Sequence, residues 1–259
     1  MRPVPPTGHW HEDYERGRPG WPTEVLDVAG LSPTVTVLDL GAGTGKLTRL
    51  LVARFSRVIC VEPDEAMRDL LSLLCPSADV LAGRAEDIPL SETSVDAVFV
   101  AEAFHGFDDE RALAEIARVL KPRGPLVLMW NLPAGPTAPS IAALERLLID
   151  RAPAGLGHDP VDLNTRRYAS GEWRVGFRDS PFEELQEARF PNPQTVDREG
   201  LVAFFESMGW FGDLPASERL PLLEEVRSLL DAPDYHRSWE THVHWTRLAD
   251  RGTARRSLA

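Results

Sequence analysis

Between Thr34 and Asn131 short β-branched runs alternate with amphipathic helical stretches, and this alternation restricts the possible folds of the chain more than any other feature. Residues 35–40, 57–61, 78–81, 95–101 and 126–130 are short, apolar and closed by turn residues, which predicts strands. Between them Leu47, Leu50, Leu51 and Phe55, then Met67, Leu70, Leu71 and Leu74, then Leu113, Ile116, Ala117 and Leu120 recur at helical spacing, with Asp64 and Asp108 placed as N-caps. Strands alternating with helices imply a parallel sheet with right-handed crossovers and a ligand crevice at the strands' carboxyl ends.

After Asn131 the texture changes. A loop rich in Pro and Gly precedes a helix bearing Ile141, Leu144 and Leu148, and residues 182–190 read as a strand. Leu201, Phe204, Phe205 and Met208 fit one helix, and Leu222, Leu223, Val226, Leu229 and Leu230 another. Trp239, Thr241, Val243 and Trp245 alternate as a strand does, while the stretch from Arg151 to Ser180 fits no element. The expectation is a doubly wound α/β fold whose mostly parallel seven-stranded sheet is completed by two late strands, with a helical lid inserted between them. Residues 1–30 would form an N-terminal cap, 31–132 the ligand-binding core, and 133–259 the lid helices and last two strands.

The formal charge of −12 offers no basic face for phosphates, so a nucleic-acid partner is not expected. The arginines Arg251, Arg255 and Arg256 read as a solvated tail. Cys60 and Cys75 match no metal or redox spacing and suit a reducing compartment. With no signal-like apolar run at the N-terminus and none approaching about 18 apolar residues, a soluble, cytoplasmic protein without a membrane partner is expected. His9/His11 and His242/His244 each show an H-x-H spacing, but no carboxylate or cysteine nearby completes a ligand set, so no metal is expected.

The first strand-to-helix turn reads Asp39-Leu40-Gly41-Ala42-Gly43-Thr44-Gly45. Its glycines let the backbone turn tightly and approach a ligand with no Cβ in the way, and the following helix presents free N–H groups. Glu62 ends the second strand, where an acid can accept hydrogen bonds from ribose hydroxyls. The spacing is G-x-G-x-G, not the dinucleotide G-x-G-x-x-G, and there is no Tyr-Lys or Cys-His set. Both points argue against a nicotinamide oxidoreductase.

Taken in order, VLDLGAGTGKLT, VICVEPDEAM, AGRAEDIPL, VDAVFVAEAFHGF and ARVLKPRGPLVLMWN resemble class I S-adenosylmethionine-dependent methyltransferases. The texture is most similar to the branch of trans-aconitate and quinone-biosynthesis methyltransferases. The resemblance covers roughly residues 10–131 and implies the Rossmann-like methyltransferase fold with S-adenosyl-L-methionine as cofactor. It implies that Gly41, Ala42, Gly43, Thr44 and Gly45 lie under the methionine part, that Asp39 orients the loop and the cofactor's amino group, and that Thr48 stands nearby. Glu62, with Pro63 beside it, would hold the ribose, and Met67 would pack on the adenine. Ala85 and Glu86 would meet the adenine edge, although Arg84 stands where members of the family have an acidic or amide residue. Ala101, Phe104 and His105 would end the fourth strand facing the transferred methyl. In the cap, Tyr14 and Arg18 would approach the cofactor's carboxylate, the arginine by a forked pair.

The expected activity is methyl transfer to a small-molecule acceptor, with oxygen as the first reading and carbon or nitrogen open. His105 is the candidate base, its ring kept neutral by Phe104 and Phe107. The alternative is a cofactor-binding protein of this fold with other chemistry or a regulatory role. A monomer or a homodimer is expected.

Overall fold

Five parallel strands carry the amino-terminal part of the sheet: β1 (Thr36–Leu40), β2 (Arg57–Glu62), β3 (Asp79–Ala82), β4 (Ala97–Ala101) and β5 (Pro125–Pro133). The computed structural model describes residues 10–135, 138–152, 168–212 and 214–250. Two long strands, β6 (Gln186–Asp197) and β7 (Asp234–Arg247), complete a seven-stranded sheet of order β3-β2-β1-β4-β5-β7-β6, with β7 antiparallel to both neighbours. β1, β4 and β5 are buried along nearly their whole length because helices cover both faces, so their sequences are continuous apolar runs. The order reverses between β1 and β4, and the carboxyl ends diverge there to leave a crevice.

The longer helices are α1 (Trp10–Gly17), α2 (Thr48–Arg54), α3 (Glu65–Leu74), α4 (Asp109–Val119), α5 (Pro139–Arg151), α6 (Arg198–Glu206) and α7 (Ala216–Leu229). Asp64 and Asp108 cap α3 and α4 by accepting from the N–H of Met67 and Arg111. Leu113 and Ile116 bury the stripe of α4 against one sheet face, and Leu51 and Leu71 pack from α2 and α3 on the other. α5, α6 and α7 form a third apolar cluster with Tyr235 and Trp239 from β7. α1 lies on α6 so closely that a Cβ at Gly17 would come within 2.1 Å of the Phe204 backbone nitrogen.

The carboxyl-terminal part departs from expectation in its boundaries. The strand anticipated at 182–190 begins at Gln186 and runs to Asp197, and Phe182 makes only an isolated bridge to Leu248. β6 is an edge strand, so its register follows β7 and not its own apolar residues. Pro191 and Pro193 fit there, since residues two apart turn their nitrogens the same way and can both face away from the ladder. Met208 lies past the end of α6. Within the unassigned stretch, Glu172–Phe177 forms a 3-10 helix. His9 and the three tail arginines lie outside the described residues. Among those described, no helix is long and apolar enough to cross a membrane.

Candidate active site

The glycine turn leaves β1 in left-handed conformations, with φ of +74° at Gly41, +57° at Gly43 and +88° at Gly45. A Cβ at Gly43 would meet nothing within 4 Å, so this part of the turn borders open space. Gly45 has a different reason: a Cβ there would press within 2.5 Å of Leu71 on α3. Glu62 stands against the turn. Its Oε2 accepts from the Gly43 N–H and its Oε1 from the Asp64 N–H, both at 2.9 Å, while burial pushes its carboxyl up.

Asp39 is buried at the end of β1. Its Oδ2 accepts from the Thr48 hydroxyl at 2.7 Å, and its Oδ1 is buried with no hydrogen-bond partner among the described residues. Burial pushes this carboxyl up to about 7, against the lowering bond from Thr48, and the charge of Glu62 adds to the rise. A buried acceptor at the mouth of a crevice is a place for a ligand's donor, because an unmade bond there costs about 1–3 kcal/mol.

Two adjoining cavities open over the turn, sharing Tyr14, Gly41, Gly43 and Glu102 as walls. The larger, about 500 Å³, is lined by Glu62, Pro63, Met67, Ala85, Glu86 and His105. The smaller, about 270 Å³, is lined by Asp39, Ala42, Thr44, Ala101 and Arg18 on the side of the turn, and by Asn131, Glu145, Ile149, Phe204, Met208, Arg237 and Trp239 opposite. Tyr14 reaches both, with burial pushing its phenol up to about 12, so it is a neutral hydroxyl near pH 7. Arg18 donates to the Ser207 hydroxyl at 2.9 Å and lies over the Phe204 ring. Glu86 accepts from the Asp108 N–H at 3.0 Å and faces Arg84 at 3.6 Å, which ties the adenine-edge position to the start of α4.

Three expected site residues line neither cavity. Phe104 does not face the crevice; it is fully buried against Phe107, Trp173 and Phe177. Thr48 and Gly45 line neither cavity, Thr48 standing behind Asp39 and Gly45 against α3. His105 lines the larger cavity with Glu62 and Met67, not the smaller one. Its Nδ1 accepts from the Trp130 indole N–H at 3.4 Å, so the neutral ring carries its proton on Nε2. A base needs a lone pair toward the acceptor, and this ring's lone pair is turned to Trp130. That argues against the general-base assignment.

Other contacts had no local signal in the sequence. Glu15 on α1 accepts from the Thr44 hydroxyl at 2.6 Å and from Arg49 at 2.7 Å, and Lys46 donates to its backbone carbonyl at 2.6 Å, so α1 is clamped to the glycine turn. Glu102 adopts φ +53° after β4 and accepts from the Asn131 N–H at 2.7 Å, which sets it between the two cavities. That backbone conformation costs a non-glycine residue about 1–3 kcal/mol. His242 and His244 share a face of β7, but both bond the Tyr168 hydroxyl. No group of three metal-ligating side chains occurs among the described residues.

Residues 38–128 match the methyltransferase domain family. An uncharacterized methyltransferase of Mycobacterium tuberculosis is 52% identical over 118 residues, 46% of this chain and 49% of that protein, so the chain spans about half the length of that relative. An uncharacterized methyltransferase-like protein of Schizosaccharomyces pombe is 34% identical over 224 residues, covering 85% of this chain and 82% of its own. Among solved structures, a provisionally assigned type II methyltransferase from Anaeromyxobacter dehalogenans has a TM-score of 0.64 at 22% identity, covering 90% of this chain and 99% of that one. At that identity the likeness is one of fold.

Proposed function

The chain belongs to the methyltransferase family, and from that premise we propose that it transfers a methyl group from S-adenosyl-L-methionine to a small-molecule acceptor. The observation that carries the reading is the buried Oδ1 of Asp39, an acceptor awaiting a donor beside a glycine turn that leaves the backbone exposed. An ammonium group suits it. Glu62, held by two backbone N–H groups, keeps further lone pairs for ribose hydroxyls, and Met67 with Ala85 and Glu86 provides a slot for a flat base. Arg18 and Tyr14 face a carboxylate from the other side.

When bound, the cofactor supplies an electrophilic methyl group activated by a sulfonium charge. The protein's work is then to hold a nucleophile in line and exclude water. The smaller cavity suits this, with Ile149, Phe204, Met208 and Trp239 as apolar walls beyond the turn. With Nδ1 of His105 engaged by Trp130, we favour an acceptor oxygen that ionises unaided at neutral pH. The overall charge of −12 supports a protein that acts without a nucleic-acid partner.

Calorimetry tests the cofactor. S-adenosylhomocysteine should bind with micromolar affinity and NAD should not, and Glu62→Ala should weaken the former by about 10–100-fold. A site for NAD with none for S-adenosylhomocysteine would overturn the reading.

A further inference from the structure

We propose that the acceptor carries a carboxylate on an apolar body and that Arg237 receives it at the far wall of the smaller cavity. This rests on the methyl-transfer reading only for the word acceptor; the anion site itself follows from the side chains.

Arg237 projects from β7 and is only 9% exposed, yet it lines the cavity. Its guanidinium carbon lies 4.0 Å from the centre of the Phe204 ring and 4.3 Å from that of Trp239. The aromatic box favours the cation and fixes its orientation. The carboxylate it faces, Glu145 on α5, stands 3.8 Å away, which is ion-pair distance but too long for a hydrogen bond. Its Nη1 is buried with no hydrogen-bond acceptor among the described residues, so a ligand carboxylate can make a short charge-assisted contact there.

The cavity is lined by two other cations. Arg18 is bonded to Ser207, and Lys46 to the Glu15 carbonyl. The centre of the Phe204 ring lies 4.8 Å from the Arg18 guanidinium carbon and 4.0 Å from that of Arg237. Arg237 belongs to the end built from α5, α6 and β7, where Ile149 and Met208 supply apolar wall. One guanidinium with a carboxylate already close by matches a single negative charge; a phosphate dianion would need more donors and would be repelled by Glu145. The volume of about 270 Å³ keeps the body small.

Matched probes test this: benzoate and hexanoate against benzamide and hexanamide, titrated into the protein with and without saturating S-adenosylhomocysteine. The acids should bind at least about tenfold more tightly than the amides. Arg237→Met should erase that preference while the S-adenosylhomocysteine dissociation constant stays within about threefold. Glu145→Gln removes the competing charge and should tighten the acids severalfold, a gain that misfolding cannot imitate. Equal binding of acids and amides, no binding of either acid at millimolar concentration, or a preference that survives Arg237→Met would overturn the proposal. If the acids are preferred through Arg237 while S-adenosylhomocysteine does not bind, the anion site stands and the cofactor reading falls.

Discussion

At the scale of single residues, Asp39 links binding to protons. Burial holds its carboxyl near 7, so at neutral pH a large fraction is protonated in the free protein. A cationic group brought to Oδ1 favours the ionised form, so binding must release a proton wherever the free carboxyl still carries one. The sign follows. The dissociation constant for S-adenosylhomocysteine should fall as pH rises from about 6 to about 8, by up to about tenfold per unit at the acid end, and then level off. Calorimetry in two buffers of unequal ionisation enthalpy would count the proton, and Asp39→Asn should abolish both effects. A flat profile with no proton released would mean that the ligand does not touch Asp39. Asp39, Glu62 and the glycines were legible in the sequence because their roles follow from spacing along one strand and one turn. Glu15 and Arg237 were not, since the first reaches Thr44 from α1 and the second gains its place from Phe204 on α6. Phe104 and His105 were legible in position only. They sit in a 3-10 turn, where successive side chains diverge by about 120°, and one enters the core while its neighbour enters the cavity.

At the scale of elements, β7 shows what a strand face can hold besides apolar side chains. His242 Nε2 stands 2.7 Å from the Glu240 carboxylate and must donate to it, which leaves Nδ1 as an acceptor for the Tyr168 hydroxyl at 2.8 Å. The same hydroxyl oxygen then accepts from His244 Nε2 at 2.9 Å, and His244 Nδ1 faces Arg174 at 3.4 Å. The chain runs one way, from Arg174 to Glu240, and requires both imidazoles neutral. Burial agrees, holding His242 below the usual histidine range and His244 at about 4, with Arg174 adding to the second shift. Tyr168→Phe would strand both ring nitrogens. The expected cost is about 1–3 kcal/mol in urea unfolding, with S-adenosylhomocysteine affinity unchanged. An unaltered unfolding midpoint would show that the hydroxyl contributes nothing. The alternation of β7 was readable, including the shared face of the two histidines, and so were β1, β4 and β5, whose buried faces leave unbroken apolar runs. The insertion of β7 between β5 and β6 was not, because an antiparallel pairing across intervening helices leaves no mark in either strand.

At the scale of the whole molecule, the sheet and the helices over the crevice are packed by different means. Two apolar clusters flank the sheet, and α5, α6 and α7 share a third with Tyr235 and Trp239. That group meets the rest through β6 and β7 and through α1, which lies on α6 and is pinned to the glycine turn by Glu15. A cluster with its own core and few ties elsewhere can open as a unit at less than the global unfolding cost. Its inner surface supplies Glu145 and Ile149 from α5 and Phe204 and Met208 from α6 and the turn after it, so whatever fills the smaller cavity touches both the turn and these helices. Ligands bound there should draw them together. Amide hydrogen exchange in 139–151 and 198–206 should therefore slow modestly with S-adenosylhomocysteine alone and markedly when hexanoate is added. Exchange in β1, β4 and β5 should stay slow throughout, since those strands open only with the whole domain. Protection confined to the sheet and the glycine turn would show that α5 and α6 form a fixed roof, and that the acceptor enters without closure.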